Sequence, residues 1–169
     1  IETFHLGKAT YGNETLKVSD IAGENLRSAS FILRQGEVLG LIGLNGAGQR
    51  EVGRMIAGAL PHSSGAIILN GEVIKGGVSK VVRKGISLIT SSRAEEGLAL
   101  QLSIRENKFP NLPARGSKAF SFLHPRKEHA AAEELTQQFN IKTPGEEVAI
   151  ATLSGGNQQK VILSRWLSR

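Results

Sequence analysis

The sequence contains no cysteine. A disulfide framework, a thiolate metal site and a cysteine nucleophile are therefore excluded, and a reducing compartment is the expected setting. Aromatic residues make up only 5% of the chain, with one tryptophan and one tyrosine, so base stacking has little to work with. No apolar run approaches the roughly 18–20 residues that a membrane-spanning helix needs, and the first residues lack a charged, apolar, small-residue leader pattern. Any membrane connection is expected to go through partners. The chain opens on Ile1 and its single methionine is Met55, as expected of a piece of a longer polypeptide. The histidines, His5, His62, His124 and His129, are scattered without ligand spacing, so no metal site is expected from them.

What remains is enough for one domain: 169 residues, 40% of them hydrophobic, with a net charge of +6. The excess of cations would permit nucleic-acid binding, so its distribution matters. From Lys75 to Arg93 the chain carries five cations and neither an acid nor an aromatic residue. That pattern reads as a solvated basic helix with its flanks, and nucleic acid is not the expected partner.

Hydrophobic periodicity sets out the elements. Ser30–Leu33 reads as a short strand followed by a turn at Gln35-Gly36, and the nearly continuous apolar run Glu37–Ile42 as a buried parallel strand. Beyond the glycines that follow, Val52, Met55, Ile56 and Ala59 or Leu60 fall at helical spacing, with Gly58 and Pro61 marking the exit. Ala66–Leu69 and Glu72–Ile74 flank Asn70-Gly71, a two-residue hairpin signal. Val78–Lys84 predicts a short helix stopped by Gly85, and Ile86–Ile89 the next buried strand. Pro110, Pro113 and Gly116 break the pattern over 94–124, where Ser103-Ile104-Arg105-Glu106-Asn107 could cap one helical turn. Pro125 opens a helix expected to turn Ala130, Ala131, Leu135 and Phe139 to the core, and a last helix is expected from about Asn157, carrying Val161, Ile162 and Trp166. The whole predicts a mixed α/β domain with a helical insertion.

Gly43-Leu44-Asn45-Gly46-Ala47-Gly48-Gln49-Arg50 has the spacing of a phosphate-binding loop. Glycines let backbone N–H groups converge on an anion where a helix begins and its dipole adds favourable potential. The usual Lys and Ser or Thr, which supply a charge on the phosphates and a hydroxyl to Mg²⁺, are replaced by Gln49 and Arg50. Gln offers a neutral hydrogen bond, while Arg offers charge but only donors, hence no metal ligation. Taken alone, the eight residues also fit an empty strand-to-helix turn. A dinucleotide loop fits less well, because the acid expected about 20 residues on would fall, as Glu72, inside a hairpin.

A second motif, Leu153-Ser154-Gly155-Gly156-Asn157-Gln158-Gln159-Lys160, places a hydroxyl and two glycines at the start of an apolar helix, another anion-binding arrangement. On its own it could be a Ser-capped helix start. This segment resembles the signature motif of ATP-binding cassette (ABC) proteins. The order also fits: glycine loop at 43–50, hairpin, helical insertion, signature at 153–159. Asn157-Gln158-Gln159, with Ile141-Lys142-Thr143-Pro144 upstream, resembles the ATPase subunits of bacterial sugar importers, and the loop is similar to that of their second cassette. The likeness covers roughly residues 16–169.

The resemblance implies a P-loop NTPase-like ABC ATPase core of α/β class, with an antiparallel β subdomain and a helical subdomain at about 94–156, all one partial nucleotide-binding domain. The strand bearing the Mg²⁺-associated Asp, the general-base Glu and the switch His is expected beyond Arg169, so the chain is expected to be truncated before it and to associate through apolar strand edges. The cofactor implied is ATP, with Mg²⁺ ligation reduced or absent at this loop. Gly43, Asn45, Gly46, Ala47, Gly48, Gln49 and Arg50 would hold nucleotide, while Ser154, Gly155, Gly156 and Gln158 would serve the nucleotide of a second, head-to-tail cassette. No catalytic residue of its own is implied for this chain. Permease subunits and, indirectly, a periplasmic or extracellular sugar-binding protein are the implied partners, and the location is the cytoplasmic face of the membrane.

Two departures stand out. Ser91 or Ser92 takes the place where the family carries a Gln or Glu, and no aromatic lies near Glu24–Leu26 to stack on adenine, Tyr11 being too early. Three functions fit these features: a degenerate cassette energising sugar import, a nucleotide-independent scaffold that docks a competent cassette, and a non-transport ABC protein acting on ribosomes or nucleic acid.

Overall fold

The computed structural model describes residues 10–109 and 125–167, so His5, His124 and the breaks at Pro110, Pro113 and Gly116 lie outside the described residues. The chain forms two compact units, one up to Ile86 and one from Ser87 onward.

The first unit is built on an antiparallel sheet of β1 (Glu14–Gly23), β2 (Leu26–Arg34), β3 (Ser64–Leu69) and β4 (Glu72–Val73), in the order β2-β1-β3-β4. In β1, Leu16 and Val18 face the core and Lys17 faces solvent, the period-2 pattern of a half-buried strand. Continued unbroken, that alternation would bury Asp20. Instead Asp20 takes φ 47°, the pairing register shifts, and Ile21 enters the core in its place. The Ser30 hydroxyl holds the bulge, accepting from the Asp20 N–H and donating to its carboxylate, both at 2.8 Å. Gly65 pairs across from this irregularity at φ +79°, where a Cβ would stand 2.3 Å from the Ser19 carbonyl oxygen. No side chain fits there. The hairpin at Asn70 (φ 50°) and Gly71 (φ 82°) follows the sequence expectation of a type I′ turn.

Two helices cover the sheet's apolar residues. Helix α1 (Gln49–Ile56) buries Val52 and Met55, and α2 (Val78–Arg83) buries Val81 and Val82 before Gly85 (φ 100°) ends it. Both sit where the periodicity places them, although α1 stops at Ile56, before Ala59 and Leu60.

The two expected parallel strands do not form. Residues 37–42 carry no strand pairing, and Val38 and Ile42 are 94% and 100% exposed; residues 86–89 likewise carry no strand pairing. An apolar run becomes a strand only when neighbours take its backbone N–H and C=O groups. Among the described residues every sheet pairing is antiparallel and spent within β1–β4, so neither run finds a neighbour. The short strand expected at Ser30–Leu33 is longer, and β1, its partner, is absent from the sequence reading.

The second unit gathers Leu98, Ile104, Ile141, Ile150, Leu153, Val161 and Ile162 around α3 (Ile104–Lys108), α4 (Pro125–Gln138) and α5 (Gly155–Leu167). The expected cap is present as a reciprocal box: the Glu106 N–H donates to Ser103 Oγ at 3.2 Å, and the Ser103 N–H donates to the Glu106 carboxylate at 2.8 Å. Pro125 heads α4; Leu135 is buried and Phe139 packs against the core as expected, whereas Ala130 is exposed and Ala132 is buried. Ala132 lies beside the buried end of α3. There the Lys108 ammonium, fully buried, donates to the Ala132 carbonyl at 2.7 Å, to Glu146 at 2.8 Å and to the Thr136 hydroxyl. Burial pushes Lys108 below its ordinary value, and Glu146 opposes that shift. Helix α5 begins at Gly155, two residues before the expected Asn157.

Glu146→Ala would leave Lys108 as a buried charge without its counter-ion, and such losses cost about 3–5 kcal/mol. Chemical denaturation should show a drop of that size, with most of it recovered when Lys108→Met is added. A pH effect follows from two exposed carboxylates. Glu106, hydrogen-bonded by the Ser103 backbone and hydroxyl, and Glu147, hydrogen-bonded by Arg105, are both held below the ordinary carboxylate value. Groups lowered on folding stabilise above their unfolded value, and that contribution is lost as pH falls through the folded one. Denaturant midpoints should fall on acidification below the ordinary carboxylate range, and less steeply in Glu106→Gln.

Candidate functional site

The glycine loop lies in the first unit, its conformation set by two left-handed glycines. Leu44 accepts from the Ala47 N–H at 3.0 Å, closing a turn over Asn45 and Gly46 (φ 82°). Gly48 (φ 93°) then delivers the chain into α1, packed so close to the start of β2 that a Cβ would stand 2.9 Å from the Asn25 carbonyl oxygen. The first intrahelical bond runs from the Val52 N–H to the Gly48 carbonyl at 3.0 Å. The N–H groups of Gly48, Gln49, Arg50 and Glu51 are thus left without intrahelical acceptors, and no side chain caps them. Gly43, Asn45, Gly46 and Ala47 are exposed, as is Arg50. The geometry suits an anion.

Gln49 does not reach outward. Its amide nitrogen donates back into the loop, to the carbonyls of Gly43 at 3.4 Å and Leu44 at 3.3 Å, and its buried Oε1 has no donor among the described residues. Glu51 in the same first turn adds negative charge. The loop therefore offers dipoles without a lysine-like point charge, and positions 49 and 50 supply no hydroxyl for Mg²⁺. A phosphate fits the glycines; metal ligation does not fit Gln49-Arg50. A cavity of about 750 Å³ in the same unit is lined by Met55, Pro61, His62, Ile67 and Lys75 among others, and none of its lining residues belongs to the loop.

The second motif lies in the other unit. A single 3₁₀ turn, Ile150–Thr152, leads through buried Leu153 to Ser154, which is exposed at the mouth of α5. Asn157 spans two elements, its amide nitrogen donating to Ser154 Oγ and its Oδ1 accepting from the Lys142 N–H, both at 3.0 Å. Gln158 turns its amide inward, to the carbonyls of Leu153 at 3.1 Å and Ile150 at 3.3 Å. Gly156 is exposed and Gly155 partly so. Ser154, Gly155 and Gly156 thus form the open rim of the motif, while Asn157 and Gln158 fix its approach.

A residue outside both motifs joins this rim. Arg93 opens a single π-helical turn, Arg93–Gly97, and its guanidinium covers Gly155 so closely that a Cβ there would lie 2.5 Å from a terminal nitrogen. In the sequence Arg93 is only the last of a run of cations, and no local spacing links it to residue 155. Ser91 is exposed, and the Ser92 N–H donates to Thr90 Oγ1 at 3.1 Å. Tyr11, 49% exposed, precedes β1.

No described helix is long and apolar enough to cross a membrane, and no described cluster of acids and histidines could hold a metal ion. The family model for ABC transporters matches residues 26–169. A ribose import ATP-binding protein, RbsA 3, of Rubrobacter xylanophilus is 41% identical over 165 residues, covering 95% of this chain and 32% of that protein. An arabinose import ATP-binding protein, AraG, of Burkholderia pseudomallei is 37% identical over 169 residues, covering 99% of this chain and 34% of that protein. The chain thus spans about a third of the length of these relatives. Among solved structures, a nucleotide-free ATP-binding cassette aligns with a TM-score of 0.73 at 18% identity, covering 92% of this chain and 65% of that one. The cassette MJ0796, a dimer bound to ADP and Pi, aligns with a TM-score of 0.72 at 17% identity, covering 90% and 69%. With its glycine loop leading into α1 and its Ser-Gly-Gly motif at the start of α5, the chain belongs to the ABC transporter family of ATP-binding cassettes.

Proposed function

We propose that the chain is the partial nucleotide-binding domain of a second cassette in a two-cassette importer ATPase, coupling ATP binding and hydrolysis to carbohydrate import. The relatives named for ribose and arabinose import support that substrate class. One observation carries the division of labour: Gln49 is folded onto its own loop, whereas Ser154 and Gly156 stand exposed at a helix start. The loop at Gly43, Asn45, Gly46, Ala47, Gly48, Gln49 and Arg50 is then a weak or regulatory site for ATP phosphates. Ser154, Gly155 and Gly156 contact the nucleotide of a head-to-tail partner cassette, with Gln158 holding the rim. Residues of about 94–156 act as the helical subdomain, working with permease subunits at the cytoplasmic face and indirectly with a sugar-binding protein.

ATP supplies phosphoryl chemistry when bound; this chain's residues orient and stabilise its phosphates. The rim's hydroxyl and N–H groups suit charge that develops during transfer, because preorganised donors need no reorientation. In the complete ATPase with its permease, Ser154→Arg should abolish most ATP turnover, since it fills the rim; normal turnover would sink the reading. Arg50 is the exposed cation beside the loop, and a guanidinium ligates no metal. Nucleotide binding at the loop should therefore persist with a chelator present in equilibrium titration, and strict Mg²⁺ dependence would refute that role. No binding at millimolar ATP would instead favour a nucleotide-independent scaffold.

A further inference from the structure

We infer that Arg93 is a phosphate-contacting residue of the signature rim, presenting its guanidinium beside Ser154-Gly155-Gly156 to the partner cassette's nucleotide. The inference rests on the proposed reading of that rim and adds to it a charge that the motif itself lacks.

Three features of the second unit support it. The first is contact. A Cβ on Gly155 would lie 2.5 and 3.0 Å from the terminal nitrogens of Arg93 and 2.9 Å from its Cζ, so the guanidinium lies flat against the glycine. Glycine at this position admits the arginine as well as a ligand.

The second is anchorage. The π-helical turn that begins with Arg93 ends at Gly97, whose carbonyl accepts from a terminal nitrogen of Arg165 at 2.9 Å. Gly97 itself packs so tightly that a Cβ would meet Ile162 Cδ1 at 2.9 Å. Arg165 and Ile162 belong to α5, the helix whose first residue is Gly155. The turn is thus fastened along the helix that carries the rim, and Arg93 keeps its place relative to Ser154. Single π-helical turns are frequent at functional sites.

The third is charge. A helix start carries partial positive potential, so a guanidinium laid against it is a juxtaposition of like sign. Among the described residues Arg93 has no ion-pair partner. An anion seated at their shared outer edge, touching both, offsets the repulsion, and a phosphate oxygen matches both the planar fork of an arginine and the N–H groups beside it. The rim then supplies neutral dipoles and a hydroxyl, and Arg93 the full charge.

The test uses the complete ATPase with its permease. Arg93→Ala should lower kcat for ATP about 10- to 100-fold, the range expected for one charge-assisted hydrogen-bonding group, with KM less affected and the melting temperature unchanged. Arg93→Lys should recover part of the rate, and guanidinium ion added to Arg93→Ala should recover part of it as well. Parental turnover in Arg93→Ala would overturn the inference, as would a loss accompanied by a lowered melting temperature that neither lysine nor guanidinium ion repairs. Ser154→Arg separates the two levels. If it remains active, the reading of the rim fails; if it is inactive while Arg93→Ala is fully active, only the role of Arg93 fails.

Discussion

The position of the signature rim depends on a buried ammonium. Lys108 ends α3 with no exposure to water, and a lone charge in that setting would be prohibitive. Its partners come from separate places: the Ala132 carbonyl and Thr136 hydroxyl from α4, and the Glu146 carboxylate from the segment leading toward Ser154. All three must assemble together for the charge to be tolerated. Around them Arg105 joins Glu128 and Glu147, and the backbone from Glu146 to Ile150 exchanges hydrogen bonds with Leu102, Ile104 and Arg105. The chain is delivered to Leu153 by this network, and α5 starts where it does because its approach is fixed. Buried ionic groups are poor sources of net stability compared with apolar packing, but they admit few alternative arrangements.

The two glycine-bearing helix starts of this chain differ in their surrounding charge. At α1 a neutral amide has taken the position of a cation and is turned onto carbonyls, and an acid follows two residues later. At α5 there is no acid in the first turn, and an arginine from another element overlies the glycine. Favourable potential is reduced at the first and reinforced at the second, within one cassette. Such a distribution supports the proposed reading, in which the chain lends groups to a neighbour's ligand more than it grips its own.

Much of this was legible in the sequence, for reasons that can be named. Asn70-Gly71, Ser103 with Glu106, and Pro125 each satisfy a local geometric demand, so the hairpin, the cap and the helix start could be read directly. The first glycine motif was visible because positive φ at Gly46 and Gly48 restricts residue type, and the second because a hydroxyl and two glycines mark a helix start. Failures came where tertiary pairing decides. The run at 37–42 has the composition of a buried strand but finds no neighbour among the described residues, and Val38 and Ile42 face solvent. Strand β1 was missed because its alternation is interrupted at Asp20 by a bulge that Ser30, in another strand, holds in place. Within α4 the buried alanine is Ala132, beside the Lys108 ammonium, and not Ala130, and Arg93 is separated from Gly155 by most of a unit.

The self-directed amide of Gln49 bears on how information would pass through this cassette. A ligand shifts a conformational equilibrium only by as much as it prefers one state over another. A loop whose carbonyls are already answered by its own side chain is folded before any ligand arrives, so occupancy and vacancy differ little in shape or order. Binding there would leave the first unit much as it was, and the loop would behave as a fixed strut. On the proposed reading, signals of nucleotide state would enter through α5 instead.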